Sequence, residues 1–147
     1  VPYKTGTTLT LRDGMIGRVY VRFVTDAGID EMQLSGIAVD KKAPTKTKIK
    51  ANRSGIKTLK TSTKTSYNKK IKKSAKFVFS ASYGISGKSK TQYKIVPKGK
   101  KASKYRWKTA NKITYKKKNK KVSIYARFID KCGNITQRKS SGFYITK

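Results

Sequence analysis

The segment of this sequence with the clearest potential for chemistry is Asp130-Lys131-Cys132-Gly133-Asn134. Its carboxylate and amide oxygens could bind calcium, and Cys132 beside a lysine could act as a nucleophilic thiolate. Calcium sites need about six to eight oxygen ligands, usually from several carboxylates, and Asp130 is the single acid in residues 44–147. The residue types therefore favour a structural turn, in which Asp130 accepts backbone N–H groups, Gly133 takes a positive φ and Asn134 tolerates one. We interpret Cys132 as a small side chain in that turn.

The residue types that most catalytic sites need are scarce elsewhere as well. The chain has no histidine and six acids, and histidine is the commonest general base and metal ligand. Without it neither a Ser-His nor a Cys-His pair can form, and within residues 44–147 Asp130 is alone and cannot make the paired acids that hydrolases use. The sequence thus predicts a protein that is not an enzyme and that holds no metal and no cofactor.

The 147 residues carry a net charge of +32, and this charge is unevenly distributed. Residues 1–43 hold six basic and five acidic residues, whereas residues 44–147 hold 32 basic residues and one acid. Such a discontinuity marks a domain boundary near Ala43-Pro44, where the proline fits a short stiff joint. We therefore expect two segments, residues 1–43 and residues 44–147.

Clusters of lysine carry much of the charge of the second segment. Lysine is a mobile point charge, and clusters of it attract anionic polymers through counterion release. The predicted polyanion-binding residues are Lys69, Lys70, Lys72, Lys73, Lys98, Lys100, Lys101, Lys116, Lys117, Lys118, Lys120 and Lys121. The alternative is a solvated, repulsive surface that only keeps the protein soluble, and the composition leaves both interpretations open. Arginine, which base-specific contacts prefer, is rare in this segment.

The sequence contains an internal repeat. Residues 19–29 read VYVRFVTDAGI and residues 124–134 read IYARFIDKCGN, an offset of 105. After a slip of one residue, SGIAV at 35–39 matches SGFYI at 141–145. A period near 105 residues suits a seven-stranded sandwich domain. Residues 1–43 would then be the C-terminal strands of one repeat, and residues 44–147 a complete repeat.

Short segments of alternating polarity predict β-strands. The predicted strands are residues 45–51, 76–81, 91–96, 112–115, 122–129 and 142–146. In the longest of them, Ile124, Ala126 and Phe128 share one face, while Tyr125 and Arg127 share the other. Because no segment sustains a period of 3.6 residues, the pattern predicts an all-β sandwich or barrel.

Several motifs also occur in a familiar order along the chain. They are YGISG at 83–87, QYKI at 92–95, Trp107, IYARFIDKCGN at 124–134 and FYITK at 143–147. In this order they resemble the bacterial immunoglobulin-like repeats found in tandem on Gram-positive cell-surface and secreted proteins. Those repeats end in a D-x-A-G-N turn, a strand and an I-D-K-x-x-P joint, for which VDKKAP at 39–44 is the counterpart. The resemblance implies an Ig-like antiparallel β-sandwich with a spacer or adhesive role and no catalytic residues.

Two features depart from that family pattern. Cys132 stands where alanine is usual, and the first copy reads TDAGI at 25–29, so its aspartate comes one place late and its asparagine is lost.

Tyr105-Arg106-Trp107 places aromatic rings beside a positive charge. Tyr105 and Trp107 could form a sugar-stacking platform, although a tryptophan at this place in a sandwich domain more often packs over the core, which we expect here. A cytosolic nucleic-acid-binding protein is a further alternative and would need aromatic and basic residues interleaved on one exposed sheet face. The strand aromatics instead alternate as core residues do, and the lysines cluster in predicted turns.

The sequence thus predicts a non-catalytic Ig-like spacer or adhesion module whose basic surface binds teichoic acid, a glycosaminoglycan or extracellular DNA. Its expected location is outside a Gram-positive bacterium or on the surface of the cell. Neighbouring Ig-like repeats would adjoin it, and residues 1–43, which lack partner strands, would be poorly ordered, pair with another chain or add to an exposed edge of the complete repeat. No membrane span is expected, because no stretch of about 18 apolar residues occurs.

Overall fold

The computed structural model describes residues 4–6, 8–52 and 55–147. Within them the strands are, in chain order, β1 (Ile16–Thr25), β2 (Gly28–Ala38), β3 (Thr45–Ala51), β4 (Thr58–Lys60), β5 (Lys69–Lys72), β6 (Ala75–Ser82), β7 (Lys88–Pro97), β8 (Lys108–Thr109), β9 (Lys112–Tyr115), β10 (Val122–Asp130), β11 (Ile135–Ser140) and β12 (Phe143–Thr146). A 3₁₀ turn at Ala102–Lys104 is the one helical element of these residues. The prediction of an all-β chain is confirmed. Residues 1–3, 7, 53 and 54, which belong to the two predicted segments, lie outside the described residues.

Two sheets enclose the core of residues 45–147. The smaller sheet has the antiparallel order β3-β6-β9. In the larger sheet the order is β4-β11-β10-β12-β5, with β7 along the other edge of β10 and β8 paired to β7. β10 is the centre of this sheet, because it pairs with β7, β11 and β12.

Side chains from alternate positions of the strands point inward and fill the space between the sheets. Phe77 and Phe79 of β6 face Ile124, Ala126 and Phe128 of β10, and all five are at most 4% exposed. Each fully buried side chain of this size contributes about 1.5–3 kcal/mol to stability. Aromatic rings form the middle of this core, where the Phe143 ring lies 5.0 Å from Phe77 and 5.5 Å from Tyr115.

The hairpin of β1 and β2 has the same strand pairing as its repeat counterpart in β10, β11 and β12. Tyr20 pairs with Gln33, and Tyr125, its counterpart, pairs with Lys139, which is the match that the one-residue slip between the copies requires. Both hairpins also shift register at the same place. Gly17 pairs with Ile37 beyond the shift in the first copy, and Val122 pairs with Phe143 in the second.

This hairpin lacks the second sheet that covers its counterpart. Residues at the core-facing positions of the first copy stay open, with Phe23 55%, Met32 53% and Leu34 49% exposed. Within the described residues β1 pairs with β2 alone, so the hairpin leaves both of its strand edges unpaired and its apolar face uncovered. It does not add to an edge of either sheet of residues 45–147.

We expect the two repeat-equivalent phenylalanines to differ sharply in their contribution to stability. Phe128→Ala should lower the free energy of unfolding by about 3–5 kcal/mol, because it opens a cavity in the closed core. Phe23→Ala, the matched control on the uncovered face, should change it by about 0.5 kcal/mol or less. Urea denaturation followed by circular dichroism measures both, and equal losses would mean that the hairpin face is covered in solution.

Candidate polyanion-binding surface

The fold brings the three lysine clusters to one end of the sandwich, although they lie far apart in the sequence. The loop after β7 contacts the loop before β10, since the Lys98 N–H donates to the Lys121 carbonyl at 2.9 Å. The latter loop also contacts β12, where Asn119 N–H donates to the Ile145 carbonyl at 2.8 Å. β5, which contains the first cluster, runs parallel to β12.

We call this end the basic pole and define it by the twelve clustered lysines. All twelve are exposed. They are Lys69, Lys70, Lys72, Lys73, Lys98, Lys100, Lys101, Lys116, Lys117, Lys118, Lys120 and Lys121. Three of them lie in the short strand β5, and the others lie in the loops that adjoin β5, β7, β9 and β10.

The basic pole has no acid nearby to balance its charge. Asp130, the single acid of residues 44–147, ends β10 at the opposite end of the sandwich. The nine residue steps from Lys121 to Asp130 correspond to about 30 Å at the rise of a β-strand. Charges are screened beyond about 8 Å at physiological ionic strength, so this carboxylate does not neutralise the pole.

Asp130 itself organises the turn at that opposite end. Its side chain accepts hydrogen bonds from the backbone N–H of Asn134 (2.9 Å) and from Asn134 Nδ2 (2.9 Å), and Asp130 is 1% exposed. Gly133 takes a φ of +86° and donates its N–H to the Asp130 carbonyl. Both carboxylate oxygens of Asp130 therefore accept hydrogen bonds from within the turn.

The same turn holds the joint between the two segments. Asn134 Nδ2 also donates to the Asp40 carbonyl at 2.6 Å, and Cys132 Sγ donates to the Ala38 carbonyl at 3.4 Å. Cys132 is exposed and forms no disulfide bond. The motif that could have been read as a metal or nucleophile site thus contacts the chain that links the hairpin to the sandwich. Within the described residues no group of three or more His, Cys, Asp or Glu side chains comes together.

Asp40 is the residue of the joint that sequence reasoning missed. Its carboxylate accepts Ser86 Oγ–H at 2.7 Å, Ser86 N–H at 3.2 Å and Lys42 N–H at 3.0 Å, and the residue is 7% exposed. These hydrogen bonds, that of the Ser86 hydroxyl above all, lower the pKa of Asp40. A Cβ at Gly84 would lie 2.5 Å from Asp40 Oδ2, which explains the glycine. Asp40 is the aspartate of the I-D-K-x-x-P joint, and this motif was the signal in the sequence that could have identified it.

Trp107 does not pack in the core, contrary to the expectation from the sequence. β8 places it on the outer face of the larger sheet, because Lys108 pairs with Tyr93, whose ring packs against the core. There Lys94 Nζ lies 4.5 Å and Arg127 Cζ 4.6 Å from the centroid of the half-buried indole. Because β8 has only two residues, an alternating pattern could not predict which side chains beside it point outward. Tyr105, the other proposed platform residue, is half-buried and ends the 3₁₀ turn.

Aromatic and basic side chains interleave on this outer face. Strand pairing aligns Lys139, Tyr125 and Lys94 across β11, β10 and β7, and Trp107 follows beside Lys94. We call Lys139, Tyr125, Lys94, Trp107 and Arg127 the outer-face row. The alternation predicted for this strand is confirmed, since Ile124 and Ala126 are buried while Tyr125 lies on the opposite face.

Burial affects the basic groups of this row. Lys139 is 7% exposed, and burial lowers its pKa. The pKa of Lys94 is also lowered, first by burial and then by the neighbouring Arg127 guanidinium. The Lys94 ammonium donates to the Ala102 carbonyl at 2.6 Å, and Arg127 Nε donates to Gln92 Oε1 at 2.8 Å. Neutral acceptors thus position two cations in a segment whose single carboxylate, that of Asp130, is bonded to Asn134.

Comparisons with protein families, with curated proteins and with solved structures found no match to this chain. No helix of the described residues is long and apolar enough to span a bilayer.

We expect Ser86→Ala to raise the pKa of Asp40 toward the ordinary value of 3.8, because the largest cause of its lowering is removed. A lowered carboxyl pKa in the folded state stabilises the fold above the ordinary pKa, and this contribution is lost as the pH falls through the folded value. The variant should therefore be less stable than the unchanged protein at neutral pH, and the part of its acid destabilisation that comes from Asp40 should be smaller. A carbon NMR titration of the Asp40 carboxyl measures the shift, with Ser89→Ala as the exposed control. An unchanged pKa would show that the Ser86 hydroxyl does not bind this carboxylate in solution.

Proposed function

We propose that this chain is a non-catalytic, Ig-like module of a tandem array, which binds anionic polymers through the basic pole. The polymers would be teichoic acid, a glycosaminoglycan or extracellular DNA, met outside a Gram-positive cell or on its surface. The observation that carries the proposal is the convergence of three separate lysine clusters at one end of the sandwich.

The order of strands supports the Ig-like assignment. In immunoglobulin-type sandwiches, strands A, B and E lie in one sheet and C, F and G in the other. Taking β3 as the first strand of the module, β3-β6-β9 corresponds to A-B-E, and β7-β10-β11 corresponds to C-F-G. β8, which pairs with β7, then takes the place of a C′ strand.

The hairpin supports a tandem arrangement. Its register matches that of β10 with β11 and β12, shift included, so residues 1–43 resemble the last two strands of a preceding module. The uncovered apolar face is the surface that the remaining strands of such a module would bury. The Asp40 contacts with Ser86 and Asn134 would then fix the angle between successive modules.

Physical chemistry favours an anionic partner for the pole. Twelve neighbouring cations repel one another and hold a layer of counterions, and a polymer that replaces this layer gains the entropy of the ions released. Lysine gives charge without directional recognition, so the proposed mechanism is additive neutralisation rather than sequence readout.

A neutral-glycan platform is the weaker candidate. Sugar stacking needs an accessible aromatic face, whereas the Trp107 indole is half-buried and has two cations within 4.6 Å of its centroid. That environment suits an anionic ligand better than an uncharged one.

We expect binding to heparin and to purified wall teichoic acid to weaken steeply with salt. Changing Lys116, Lys117, Lys118, Lys120 and Lys121 to Gln should lower the affinity and reduce the slope of log K against log salt by about 0.7–0.9 for each lysine that contacts a polymer charge. Isothermal titration calorimetry at several salt concentrations measures both quantities.

The matched control changes the same number of exposed lysines near the joint and on β3, namely Lys41, Lys42, Lys46, Lys48 and Lys50. It should leave most of the affinity in place. Equal losses in the two variants would mean that net charge alone, and not the pole, determines binding. Binding that is insensitive to salt would contradict the proposal altogether.

A further inference from the structure

The outer-face row differs from the basic pole in the way its charges are held. At the pole the lysines are exposed, whereas Lys94 and Arg127 are held by hydrogen bonds to Ala102 and Gln92 and lie against one indole ring. Two like charges near one ring repel each other, and their partial burial adds to the cost. An anionic group bound between them would relieve that cost.

Aromatic rings alternate with these cations in the direction across the strands. Tyr125 lies between Lys139 and Lys94, since both pair with it, and Trp107 lies beyond Lys94. Adjacent strands are about 4.8 Å apart, so a ligand that crosses from β10 toward β8 meets the Tyr125 ring, the Lys94 ammonium and the Trp107 indole in turn. Proteins that bind single-stranded nucleic acids combine these two elements, with cations for phosphates and rings for bases.

The row is continuous with the basic pole. Lys121 Nζ lies 5.8 Å from the centroid of Tyr144, the outward residue of β12, and Lys98 Nζ lies 5.9 Å from that of Tyr67. Tyr67 in turn is near enough to Tyr125 to contribute to the raised pKa of that phenol, whose main cause is burial. A flexible polymer held at the pole therefore has a path of rings and cations onto the sheet face.

We propose that the outer face of the larger sheet binds single-stranded nucleic acid, with phosphates at Lys94 and Arg127 and a base against Tyr125 and the exposed part of Trp107. The proposal rests on the proposed polyanion-binding function and names its partner. A sulfated glycan would use the cations of the row but would gain little from the alternating rings, and for this reason the row favours nucleic acid.

Trp107 is the single tryptophan of the chain and serves as the reporter. We expect a single-stranded oligothymidylate to quench its fluorescence in a saturable titration. An abasic oligonucleotide of the same length, which has the phosphates but no bases, should bind about ten-fold more weakly. Heparin, titrated in parallel, should bind without reproducing the base-dependent quenching. Equal affinity for oligothymidylate and the abasic strand would overturn the proposal and leave a polyanion surface only.

Variants separate the two parts of the site. Tyr125→Leu keeps an apolar side chain but removes the ring, and should cut oligothymidylate affinity about ten-fold while leaving abasic affinity unchanged. Tyr125→Phe, which keeps the ring, should bind oligothymidylate as tightly as the unchanged protein does. The double variant Lys94→Gln with Arg127→Gln should weaken both strands, whereas Lys76→Gln with Lys112→Gln, on the smaller sheet, makes the same change in charge and should weaken them far less.

The outcomes distinguish this proposal from the function on which it rests. If the five-lysine change at the pole weakens all polymers while Tyr125→Leu has no effect on oligothymidylate, the pole binds polyanions and the outer face does not read bases. If the pole variant and its control behave alike for every polymer, the proposed function itself fails. Circular dichroism of each variant confirms that the sandwich is folded before binding is compared.

Discussion

Repulsion among positive charges is the constraint that shapes this molecule. Residues 44–147 carry 32 basic side chains and one acid, so the folded state receives almost no stabilisation from ion pairs within that segment. The apolar core between two thin sheets must supply the cohesion, and it does so with closely packed rings around Phe143. The cations are placed where the fold can tolerate them, at exposed loops and strand ends or with their stems along the outer sheet face.

Strand β10 connects these arrangements, because alternation along one strand serves both faces of the sheet. Its even-numbered residues Ile124, Ala126 and Phe128 fill the core, while Tyr125 and Arg127 point outward into the row with Lys94 and Trp107. Its two ends have opposite character. β10 begins at the basic pole and ends at Asp130, whose carboxylate orders the turn that contacts the joint. The basic pole and the Asp130 carboxylate thus lie at opposite ends of the sandwich because β10 runs from one to the other.

The joint shows how polar groups replace apolar burial where the two segments meet. The Asp40 carboxylate accepts three hydrogen bonds, and the Asn134 amide connects Asp130 with the Asp40 backbone. Directional bonds of this kind specify an angle better than they contribute free energy, since each replaces a bond to water. Through these bonds Asp40 connects residues 1–43 with the loop after β6 and with the turn after β10.

The sequence by itself determined the all-β class, the position of most strands in residues 45–147, and the pairing of the two repeat copies. Alternation of apolar residues is a local property, and the one-residue slip between the copies agrees with the register that both hairpins adopt. It also indicated the lysine clusters, because composition is visible without a fold. Only the tertiary structure decided that these clusters share one pole, since that depends on which strands end together. It likewise moved Trp107 from the expected core to the outer face and joined it to Lys94 and Arg127, because β8 is too short for its side-chain direction to be read from the pattern and only its pairing with β7 sets that direction.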